Sequence, residues 1–431
     1  MNSSDVDGVR RTTLLADQTD LESEVRSYSR NWPTTFAKAA GDRMHSVDGV
    51  PYLDFFTGAG ALNYGHGNES LRTPLIDYLA GDGVVHSLDM MSEARSNFLR
   101  ALSDLVLTPR RLDYKVQFTG PTGANAVEAA LKLARKVTGR RTVVAFTRSF
   151  HGMSLGALAV TASADKRVAA GVPLEHVLRV PYEGFGRHAV SGLDLLEDLV
   201  RDEGSGVDRP AAVIVETVQG EGGVNVASAG WLRRLADLCA DLDMLLIVDD
   251  IQAGCGRTGP FFSFERAGIT PDIVCLSKSL SGFGLPLAVT LFRRELDVWR
   301  PGEHNGTFRG SNPAFVTATA ALHAYWSDDR LRRSTEDKGA LVAEHLADLC
   351  TRTASVSPRG VGLFWGLEFR EPGQAARVSR AAFRRGLLVE TSGPRDEVVK
   401  LLPSLLVSTQ DLTEGLHILT EAIRHAHDEP G

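Results

Sequence analysis

Two residues of opposite charge, Lys278 and Asp249, each follow a short apolar run, at 271–277 and 244–248 respectively, of the kind that forms buried strands. A lysine amine can form a Schiff base with an aldehyde, and a carboxylate can keep a pyridine nitrogen protonated. These are the two groups that pyridoxal phosphate chemistry requires. A solvated lysine and a helix-capping aspartate would give the same pattern. These two residues alone therefore do not distinguish the two interpretations.

The composition is that of an ordinary globular protein, with 43% hydrophobic and 23% charged residues. A chain of 431 residues is long enough for two or more packed units. The net charge of -7 argues against general nucleic-acid binding, which needs a basic surface. No apolar stretch approaches the ~20 residues of a membrane span, so we expect neither nucleic acid nor a membrane as a partner.

The four cysteines, Cys239, Cys255, Cys275 and Cys350, are scattered along the chain and form no CxxC pair. We interpret them as reduced thiols rather than disulfides or zinc ligands, and we predict no metal site. The N-terminal residues lack the basic region and the apolar stretch that are typical of a signal peptide. We therefore expect a cytoplasmic protein.

Short apolar runs alternate with longer amphipathic stretches between residues 115 and 292. This alternation predicts an α/β fold with a mostly parallel sheet that helices cover on both faces. The last two runs, 272–276 and 286–292, follow each other closely, which predicts one antiparallel strand. From about residue 312 the pattern changes to long helical stretches and short strands, which indicates a smaller α+β unit.

These changes of pattern predict a division of the chain into three parts. Residues 1–70 would form an N-terminal segment that packs with the small domain, because short paired strands are expected there around a turn at Asp48 and Gly49. Residues 71–320 would form the large domain, and residues 321–431 would form the small α+β domain.

Ligands of open α/β sheets bind beyond the carboxyl ends of the strands, and several segments of this chain lie there. In residues 119–124, small residues precede a predicted helix, so backbone N–H groups and the helix dipole could hold an anion. The segment lacks the GK[ST] ending of a Walker A loop. An ordinary glycine-rich turn with Thr122 as the N-cap would look the same.

Aromatic and acidic residues follow the other predicted strands. Phe150 could stack on a cofactor ring and His151 could hydrogen-bond beside it, although a core aromatic and a satisfied histidine would give the same pattern. Glu216 and Glu221 could face either a cationic substrate or solvent. A buried Asp249 needs a partner, and a pyridinium would be one.

Two motifs resemble the signature of a known family. Residues 247–259 and residues 277–279 look like those of the class III, fold type I, pyridoxal phosphate-dependent aminotransferases, and Asp249 and Lys278 lie 29 positions apart, as in that family. The similarity covers about residues 28–406. It implies a large domain with a mostly parallel seven-stranded sheet, a smaller α+β domain, and pyridoxal 5'-phosphate as the cofactor.

Three segments, 58–66, 118–128 and 301–310, are most similar to the diaminobutyrate–2-oxoglutarate aminotransferases of ectoine biosynthesis. This likeness implies transfer of the ω-amino group of L-2,4-diaminobutyrate to 2-oxoglutarate, giving L-aspartate 4-semialdehyde and L-glutamate. Alternatives are a related enzyme acting on ornithine, 4-aminobutyrate or a diamino acid of siderophore or peptide biosynthesis, and an aminomutase or racemase on the same fold. A cofactor-sensing regulator fits poorly, because no basic helix-turn-helix segment is appended.

The resemblance also implies roles for individual residues. Lys278 would carry the cofactor as a Schiff base and shuttle the proton, and Asp249 would pair with the pyridine nitrogen. Gln252 would contact the ring hydroxyl oxygen, and Phe150 would stack on the ring. Further cofactor contacts are expected from Thr122, Gly123, Ala124, His151, Glu216 and Thr307.

Thr307 would reach the phosphate of the cofactor in the neighbouring subunit, which implies a homo-oligomer with shared active sites. Glu221 resembles the gate that lets some ω-aminotransferases accept both an amine donor and a dicarboxylate. Lys400 is found where many relatives have an arginine. Lysine offers a compact point charge, whereas arginine binds a carboxylate through two parallel hydrogen bonds. We therefore expect this replacement to affect recognition of a substrate carboxylate.

Three residues near the N-terminus offer other contacts for substrate carboxylates. Tyr28 is the predicted substrate-binding residue, and Arg26 and Arg30 flank it. A solvated basic helix end would give the same pattern.

Overall fold

The computed structural model describes residues 14–186 apart from 15, residues 191–353 and residues 356–428. The strands, numbered in chain order, are β1 (Phe36–Ala40), β2 (Arg43–Ser46), β3 (Pro51–Asp54), β4 (Tyr114–Phe118), β5 (Val143–Phe146), β6 (Val177–Val180), β7 (Ala212–Val215), β8 (Val218–Gln219), β9 (Asn225–Val226), β10 (Leu245–Asp249), β11 (Ile273–Leu276), β12 (Val289–Arg293), β13 (Val356–Val361), β14 (Phe364–Phe369), β15 (Leu387–Leu388), β16 (Glu390–Ser392) and β17 (Val398–Leu401).

The helices, beginning after a helical stretch at 16–21, are α1 (Tyr28–Asn31), α2 (Glu69–Ala80), α3 (Glu93–Leu102), α4 (Gly123–Thr138), α5 (Leu155–Val160), α6 (Ala164–Arg167), α7 (Gly192–Arg201), α8 (Ala229–Asp241), α9 (Asn312–Tyr325), α10 (Arg330–Arg352), α11 (Gln374–Arg384) and α12 (Thr409–Asp428). Short 3-10 turns occur at Thr108–Arg110, Ser263–Ala267, Lys278–Ser281 and Arg294–Leu296, and a π-helical turn occurs at Ser103–Leu107.

The central sheet has seven strands in the order β4-β12-β11-β10-β7-β5-β6. β12 is antiparallel to both of its neighbours, β11 and β4, whereas the other pairs are parallel. The prediction of a mostly parallel seven-stranded sheet with one antiparallel strand is therefore confirmed.

Burial on both faces explains why these strands read as continuous apolar runs. Every residue of β5, β7 and β11 is buried. Helix α4 packs against β11 and β12, and α8 packs against β10. A parallel sheet covered in this way needs apolar residues at successive positions, since neither face meets water.

The N-terminal segment shares a sheet with a strand from near the other end of the chain. Strands β1, β2 and β3 form an antiparallel meander, and β15 pairs with β3 in parallel, with Leu387 opposite Leu53. A second sheet, β13-β14-β17-β16, is antiparallel throughout. The division of the chain at residues 70 and 320 remains a proposal. The pairing of β3 with β15 supports the packing of the N-terminal segment with the C-terminal part.

The parallel strands of the central sheet end at one edge, which brings together segments that are distant in sequence. Asp249 is the last residue of β10, and Lys278 lies two positions beyond β11. Helix α4 begins shortly after β4 at the same edge. The sheet therefore positions a lysine, a carboxylate and a helix N-terminus beside one another.

Arg257 joins three parts of the chain, although it belongs to the motif that suggested cofactor chemistry. Its side chain is completely buried. The guanidinium donates to the Asn63 side-chain oxygen at 2.6 Å, to the Leu363 carbonyl at 3.0 Å and to the Pro403 carbonyl. These acceptors belong to the N-terminal segment and to the C-terminal part, so Arg257 has a structural role.

We expect Arg257→Met to lower the free energy of unfolding by about 3 kcal/mol, because three buried acceptors lose a charged donor. Urea denaturation followed by circular dichroism measures this loss. The control is Arg234→Met, which removes an exposed arginine paired with Asp194 and should change stability by less than about 1 kcal/mol. Equal losses for the two variants would contradict the structural role of Arg257.

Candidate active site

A cavity of about 170 Å³ lies at the carboxyl edge of the central sheet. It brings together nine of the residues predicted from the sequence, namely Gly123, Ala124, Phe150, His151, Glu216, Glu221, Asp249, Gln252 and Lys278. Four other predicted residues do not line it, namely Tyr28, Thr122, Thr307 and Lys400.

Lys278 is held in a strained backbone conformation, with φ at 48°, in the left-handed region that non-glycine residues rarely adopt. Its amine donates a hydrogen bond to the Ala59 carbonyl at 2.8 Å. Burial lowers the pKa of this amine to about 8. A larger fraction of Lys278 is therefore neutral at physiological pH than for an ordinary lysine, which makes it a better nucleophile.

The Ala59 carbonyl is presented by a left-handed turn over Thr57–Gly60, in which all four φ angles are positive. Asp54 fixes the start of this turn, because its Oδ1 accepts two backbone N–H groups at 2.8 Å. The same carbonyl also accepts a hydrogen bond from Gln252 Nε2 at 2.9 Å. One backbone oxygen thus positions both Lys278 and Gln252.

Asp249 and His151 form a buried polar pair. Asp249 Oδ2 lies 2.7 Å from His151 Nδ1, and Oδ1 accepts the Ile251 backbone N–H at 3.2 Å. His151 Nε2 is buried and has no hydrogen-bond partner within the described residues. Both side chains line the cavity, so they can contact a ligand bound there.

The adjacent carboxylate, Asp250, faces away from the cavity. It accepts hydrogen bonds from the Ser263 backbone N–H at 3.0 Å and from the Ser263 hydroxyl. Burial raises the pKa of Asp250 to about 7. Of the two aspartates at the end of β10, Asp249 is therefore the one placed to meet a ligand.

Helix α4 directs its N-terminus at the cavity, where two glycines leave space. A Cβ atom on Gly123 would lie 2.9 Å from Ile251, and one on Gly152 would lie 2.7 Å from Ala124. Thr122 caps the helix through Asn125, with its hydroxyl 2.8 Å from the Asn125 side-chain oxygen. Free backbone N–H groups and the helix dipole make this corner suitable for an anion.

Glu216 fixes the position of Phe150 on the cavity wall. Its Oε2 accepts the Phe150 backbone N–H at 3.0 Å. Burial raises the pKa of Glu216 well above its usual range, and the nearby Asp249 carboxylate adds to this effect. The Phe150 ring is held at the edge of the cavity, with the Lys166 ammonium 5.3 Å from its centroid.

Lys400 is completely buried between two carboxylates. Its Nζ lies 2.6 Å from Glu221 Oε1 and 3.1 Å from Glu390 Oε1. Glu390 stands opposite Lys400 in the β16–β17 pairing. Glu390 was not among the residues predicted from the sequence, because an acidic residue after the apolar run 387–389 is the only local signal.

Glu221, Lys400 and Glu390 form a trio of charged side chains, and the two carboxylates of this trio differ in pKa. Burial alone would raise the pKa of Glu221, but the Lys400 and Lys278 ammonium groups hold it at about 2. Burial raises the pKa of Glu390 to about 7. The net charge of the trio therefore changes near neutral pH, at Glu390.

Tyr28 lies beside the trio, with its ring 4.8 Å from the Phe56 ring. Burial, and then the Glu390 and Glu221 carboxylates, raise the pKa of its hydroxyl. Arg26 and Arg30 are not placed in the cavity lining, and both lie near the carboxylate of Glu24. Of these N-terminal candidates, Tyr28 is the one close to the site.

Thr307 lies in an exposed loop outside the cavity of its own chain. Its carbonyl accepts a hydrogen bond from His86 Nε2 at 2.8 Å, and the neighbouring Phe308 ring contacts the His86 ring. The predicted contact with a cofactor of another subunit stays a prediction.

Among the described residues, no group of histidine, cysteine and acidic side chains is arranged to hold a metal ion. No helix in the described parts of the chain combines the length and apolar character needed to cross a bilayer.

The family model described as aminotransferase class-III matches residues 25–423 of this chain. The chain is 61% identical over 403 residues to the diaminobutyrate–2-oxoglutarate transaminase of Nocardia farcinica, covering 94% of this chain and 92% of that protein. It is 59% identical to the protein of the same name from Streptomyces coelicolor, covering 94% and 96% of the two chains.

Solved structures share the fold. The ornithine aminotransferase of Toxoplasma gondii superposes with a TM-score of 0.86 at 24% identity, covering 99% of both chains. A Bacillus anthracis aminotransferase has the same TM-score and identity and covers 99% of this chain and 100% of its own. At this identity the likeness concerns the fold alone.

Pyridoxal phosphate, the cofactor that this family implies, fits the residues of the cavity. Lys278 offers a desolvated amine for the aldehyde, and the buried Asp249 carboxylate offers a partner for the pyridine nitrogen. The N-terminus of α4 and the space beside Gly123 and Gly152 suit the phosphate. The unpartnered His151 Nε2 gives the cavity one further polar contact.

We expect the rate at which pyridoxal phosphate attaches to the cofactor-free protein to rise with pH and to level off above about pH 8, following the pKa of Lys278. The neutral amine is the nucleophile, so attachment gains rate only until Lys278 is deprotonated. Absorbance in the visible region follows the reaction, and borohydride reduction with peptide mapping locates it.

The control is Nα-acetyl-lysine, whose reaction should gain rate up to about pH 10. Lys278→Ala should show no attachment in the cavity. A midpoint near 10 for the protein, or label on a different lysine such as Lys166, would contradict the assignment of Lys278.

Proposed function

The chain belongs to the class III aminotransferase family, and from that premise we propose that it transfers the ω-amino group of L-2,4-diaminobutyrate to 2-oxoglutarate. The products would be L-aspartate 4-semialdehyde and L-glutamate. The observation that carries this proposal is the 61% identity over 94% of the chain to a relative named for that activity. The cavity that gathers Lys278, Asp249 and Gln252 supports it.

Bound pyridoxal phosphate supplies an electron sink for the charge that develops on the substrate carbon. The chain's own residues do the remaining work. Lys278 would hold the cofactor, and its Nζ atom would move the proton at the reacting carbon. Asp249 would stabilise the positive charge of the pyridine nitrogen, and His151 Nδ1, 2.7 Å from Asp249 Oδ2, fixes the orientation of that carboxylate. Phe150 lines the cavity and would limit the access of water.

Two substrates of different charge have to use one site, and Glu221 is the residue placed to switch between them. Its side chain is one-quarter exposed and lines the cavity, whereas its partner Lys400 is completely buried. With the amine donor, Glu221 would stay paired with Lys400, and its carboxylate would present negative charge to the cationic substrate. With 2-oxoglutarate, the carboxylate next to the keto group would take the place of Glu221 beside Lys400.

Lys400 does not become a free cation when Glu221 moves, because Glu390 remains 3.1 Å from its ammonium group. An ionised Glu390 would cancel the charge that has to attract the keto acid. A protonated Glu390 leaves Lys400 with its full positive charge. The protonation of Glu390, whose pKa is raised to about 7, therefore controls the keto-acid half-reaction.

We also propose that the active enzyme is a homo-oligomer with shared sites. Apolar side chains are exposed on the segment 84–91 and on the adjoining loop, including Met91 at 99% and Phe308 at 66%. Thr307 lies within this surface, next to His86. A second copy that covers the surface would bring Thr307 towards the neighbouring active site, as the family resemblance implies.

The setting that we propose is the cytoplasm and the biosynthesis of ectoine. The four cysteines are free, which agrees with a reducing compartment. The named relatives come from several bacteria, among them Halalkalibacterium halodurans at 54% identity. The biosynthesis of siderophores or peptides from diamino acids is the alternative setting.

We expect diaminobutyrate to give the largest kcat/KM when a panel of amine donors is tested with 2-oxoglutarate and the glutamate formed is measured. The panel contains diaminobutyrate, ornithine, 4-aminobutyrate and lysine. Lys278→Ala is the control and should form no glutamate with any donor, because the cofactor has no attachment residue. A preference for ornithine or 4-aminobutyrate of more than about tenfold would overturn the proposed substrate.

We expect the KM for 2-oxoglutarate to rise about tenfold between pH 6 and pH 8, because deprotonation of Glu390 above its pKa of about 7 weakens the attraction of Lys400 for the keto acid. Glu390→Gln should remove most of this rise. Glu368→Gln is the matched control, since Glu368 lies in the same sheet but pairs with Arg359. A wild-type slope that persists in Glu390→Gln would contradict this role.

A further inference from the structure

The turn Thr57–Gly60, which contacts Lys278, holds four successive residues in the left-handed region, with φ angles of 46°, 60°, 56° and 81°. Two of the four, Thr57 and Ala59, are not glycine, so the backbone is strained at both positions. Such a conformation persists only where the surrounding contacts determine it. The contacts of this turn therefore indicate which group it has to present.

Asp54 holds the first half of the turn. Its side chain is buried, and Oδ1 accepts the backbone N–H groups of Phe56 and Thr57, both at 2.8 Å. The second oxygen, Oδ2, lies 2.7 Å from His66 Nε2. The Thr57 hydroxyl donates to the Leu402 carbonyl at 2.7 Å, which connects the turn to the C-terminal part. The turn is thus fixed by residues that do not line the cavity themselves.

The second half of the turn is bonded to the segment that carries Lys278. Lys278 Nζ donates to the Ala59 carbonyl and the Ser279 hydroxyl donates to the Gly60 carbonyl, each at 2.8 Å. Two consecutive residues of one segment therefore bond to two consecutive carbonyls of the other. A rotation of the peptide that follows Ala59 would remove the acceptor from Nζ.

The acceptor that the turn offers to Lys278 is neutral. Within the described parts of the chain Nζ forms no ion pair; burial lowers the pKa of this amine to about 8, and Glu221 opposes that shift from a distance. A carboxylate bonded to Nζ would favour the ammonium form strongly, whereas a carbonyl holds the nitrogen in place and leaves its proton easier to lose. A lysine that has to remove and return a proton needs this combination of fixed position and free protonation.

We propose that Asp54 is a positioning residue for Lys278, and that it acts by holding the Ala59 carbonyl as the acceptor of the Lys278 amine. Lys278 is bonded to the cofactor for only part of the proposed reaction, and for the other part its Nζ has to remain beside the reacting carbon. The Ala59 carbonyl gives the amine a fixed position during that part. His66 supports Asp54 at the other oxygen of the carboxylate. The proposal rests on the proposed function, because it concerns the proton transfer at Lys278.

The alternative role of Asp54 is stability alone. It ends β3, and it stands opposite Leu388 where β3 pairs with β15. Replacement of a residue with only that role would lower the thermal midpoint and would leave the proton transfer and the protonation of Lys278 unchanged. These two properties of Lys278 therefore separate the two roles.

The test uses four variants of the full chain. Asp54→Ala removes both acceptor oxygens, whereas Asp54→Asn keeps one oxygen for the turn and is the conservative variant. Thr57→Val removes only the hydroxyl that donates to the Leu402 carbonyl. Thr290→Val is the matched control, since Thr290 is also buried and donates to the Ala126 carbonyl at 2.9 Å, but does not line the cavity.

Single-turnover reactions of the holoenzymes with diaminobutyrate, carrying hydrogen or deuterium at the ω-carbon, measure the proton transfer. Asp54→Ala should slow this turnover at least about tenfold and leave the substrate dissociation constant within about twofold, because a misplaced Nζ affects the transfer and not the binding. Thr57→Val should show a smaller loss of the same kind, whereas Asp54→Asn and Thr290→Val should stay within about threefold of the wild type. Deuterium should slow the impaired variants further, which identifies proton transfer as the affected step.

The pH dependence of pyridoxal phosphate attachment to the cofactor-free chain measures the protonation of Lys278. Its midpoint should fall below the wild-type value of about 8 in Asp54→Ala and Thr57→Val, because burial still disfavours the ammonium form and the carbonyl no longer stabilises it. The midpoint should stay near the wild-type value in Asp54→Asn and in Thr290→Val.

A lower thermal midpoint in Asp54→Ala and Thr57→Val, with turnover and attachment unchanged, would overturn the proposal, and so would a slowed turnover without an isotope effect. If Asp54→Ala fails to fold, Thr57→Val decides, because it keeps the size and shape of the side chain. Failure of the proposed function gives a different result, in which the wild type transfers no amino group from diaminobutyrate. Attachment to Lys278 does not depend on the donor, so it still tests Asp54 in that case.

Discussion

Desolvation of charged groups at one edge of the central sheet is the constraint on which the rest of the site depends. Lys278, Asp249, Glu216 and Glu221 all face a cavity of about 170 Å³. Charges removed from water have to be paired, shared with hydrogen-bond donors or neutralised. Lys278 is partly neutralised, since burial lowers its pKa to about 8, whereas Asp249 is held by a histidine and a backbone N–H group. A cofactor that carries an aldehyde and a pyridine nitrogen would offer Lys278 an electrophile and Asp249 a cationic partner.

The same constraint explains why a lysine suits position 400, where the family resemblance led us to expect an arginine. Lys400 is completely buried, and its ammonium group is a compact charge that fits between Glu221 and Glu390 at 2.6 Å and 3.1 Å. A guanidinium would need more space and would direct several donors in fixed directions. The cost of the lysine is weaker, less directional recognition of a substrate carboxylate.

The sequence was sufficient for the central sheet and for the residues at its strand ends, because apolar runs and the residues that follow them are local features. Lys278 and Asp249 could be placed in one site in this way, whereas the role of Gln252 was expected only from the family resemblance. Glu390 could not, since its role depends on the β16–β17 register that sets it opposite Lys400. The Ala59 carbonyl was also unpredictable, because a backbone oxygen has no side-chain signature and the left-handed turn that presents it depends on Asp54. Strand register and turn geometry depend on how elements pack against one another. A pattern of residue types along the sequence does not contain that information.

The residues of the site come from two sheets, so the packing of those sheets sets its geometry. Asp249 ends one strand of the central sheet and Lys278 follows another, whereas Glu390 and Lys400 belong to the antiparallel sheet of the C-terminal part. A shift of one sheet against the other would separate Glu221 from Lys400. Arg257 restrains such a shift, because it bonds to acceptors in both the N-terminal and C-terminal parts. This buried arginine therefore holds together the parts of the chain that carry the site, although it does not line the cavity itself.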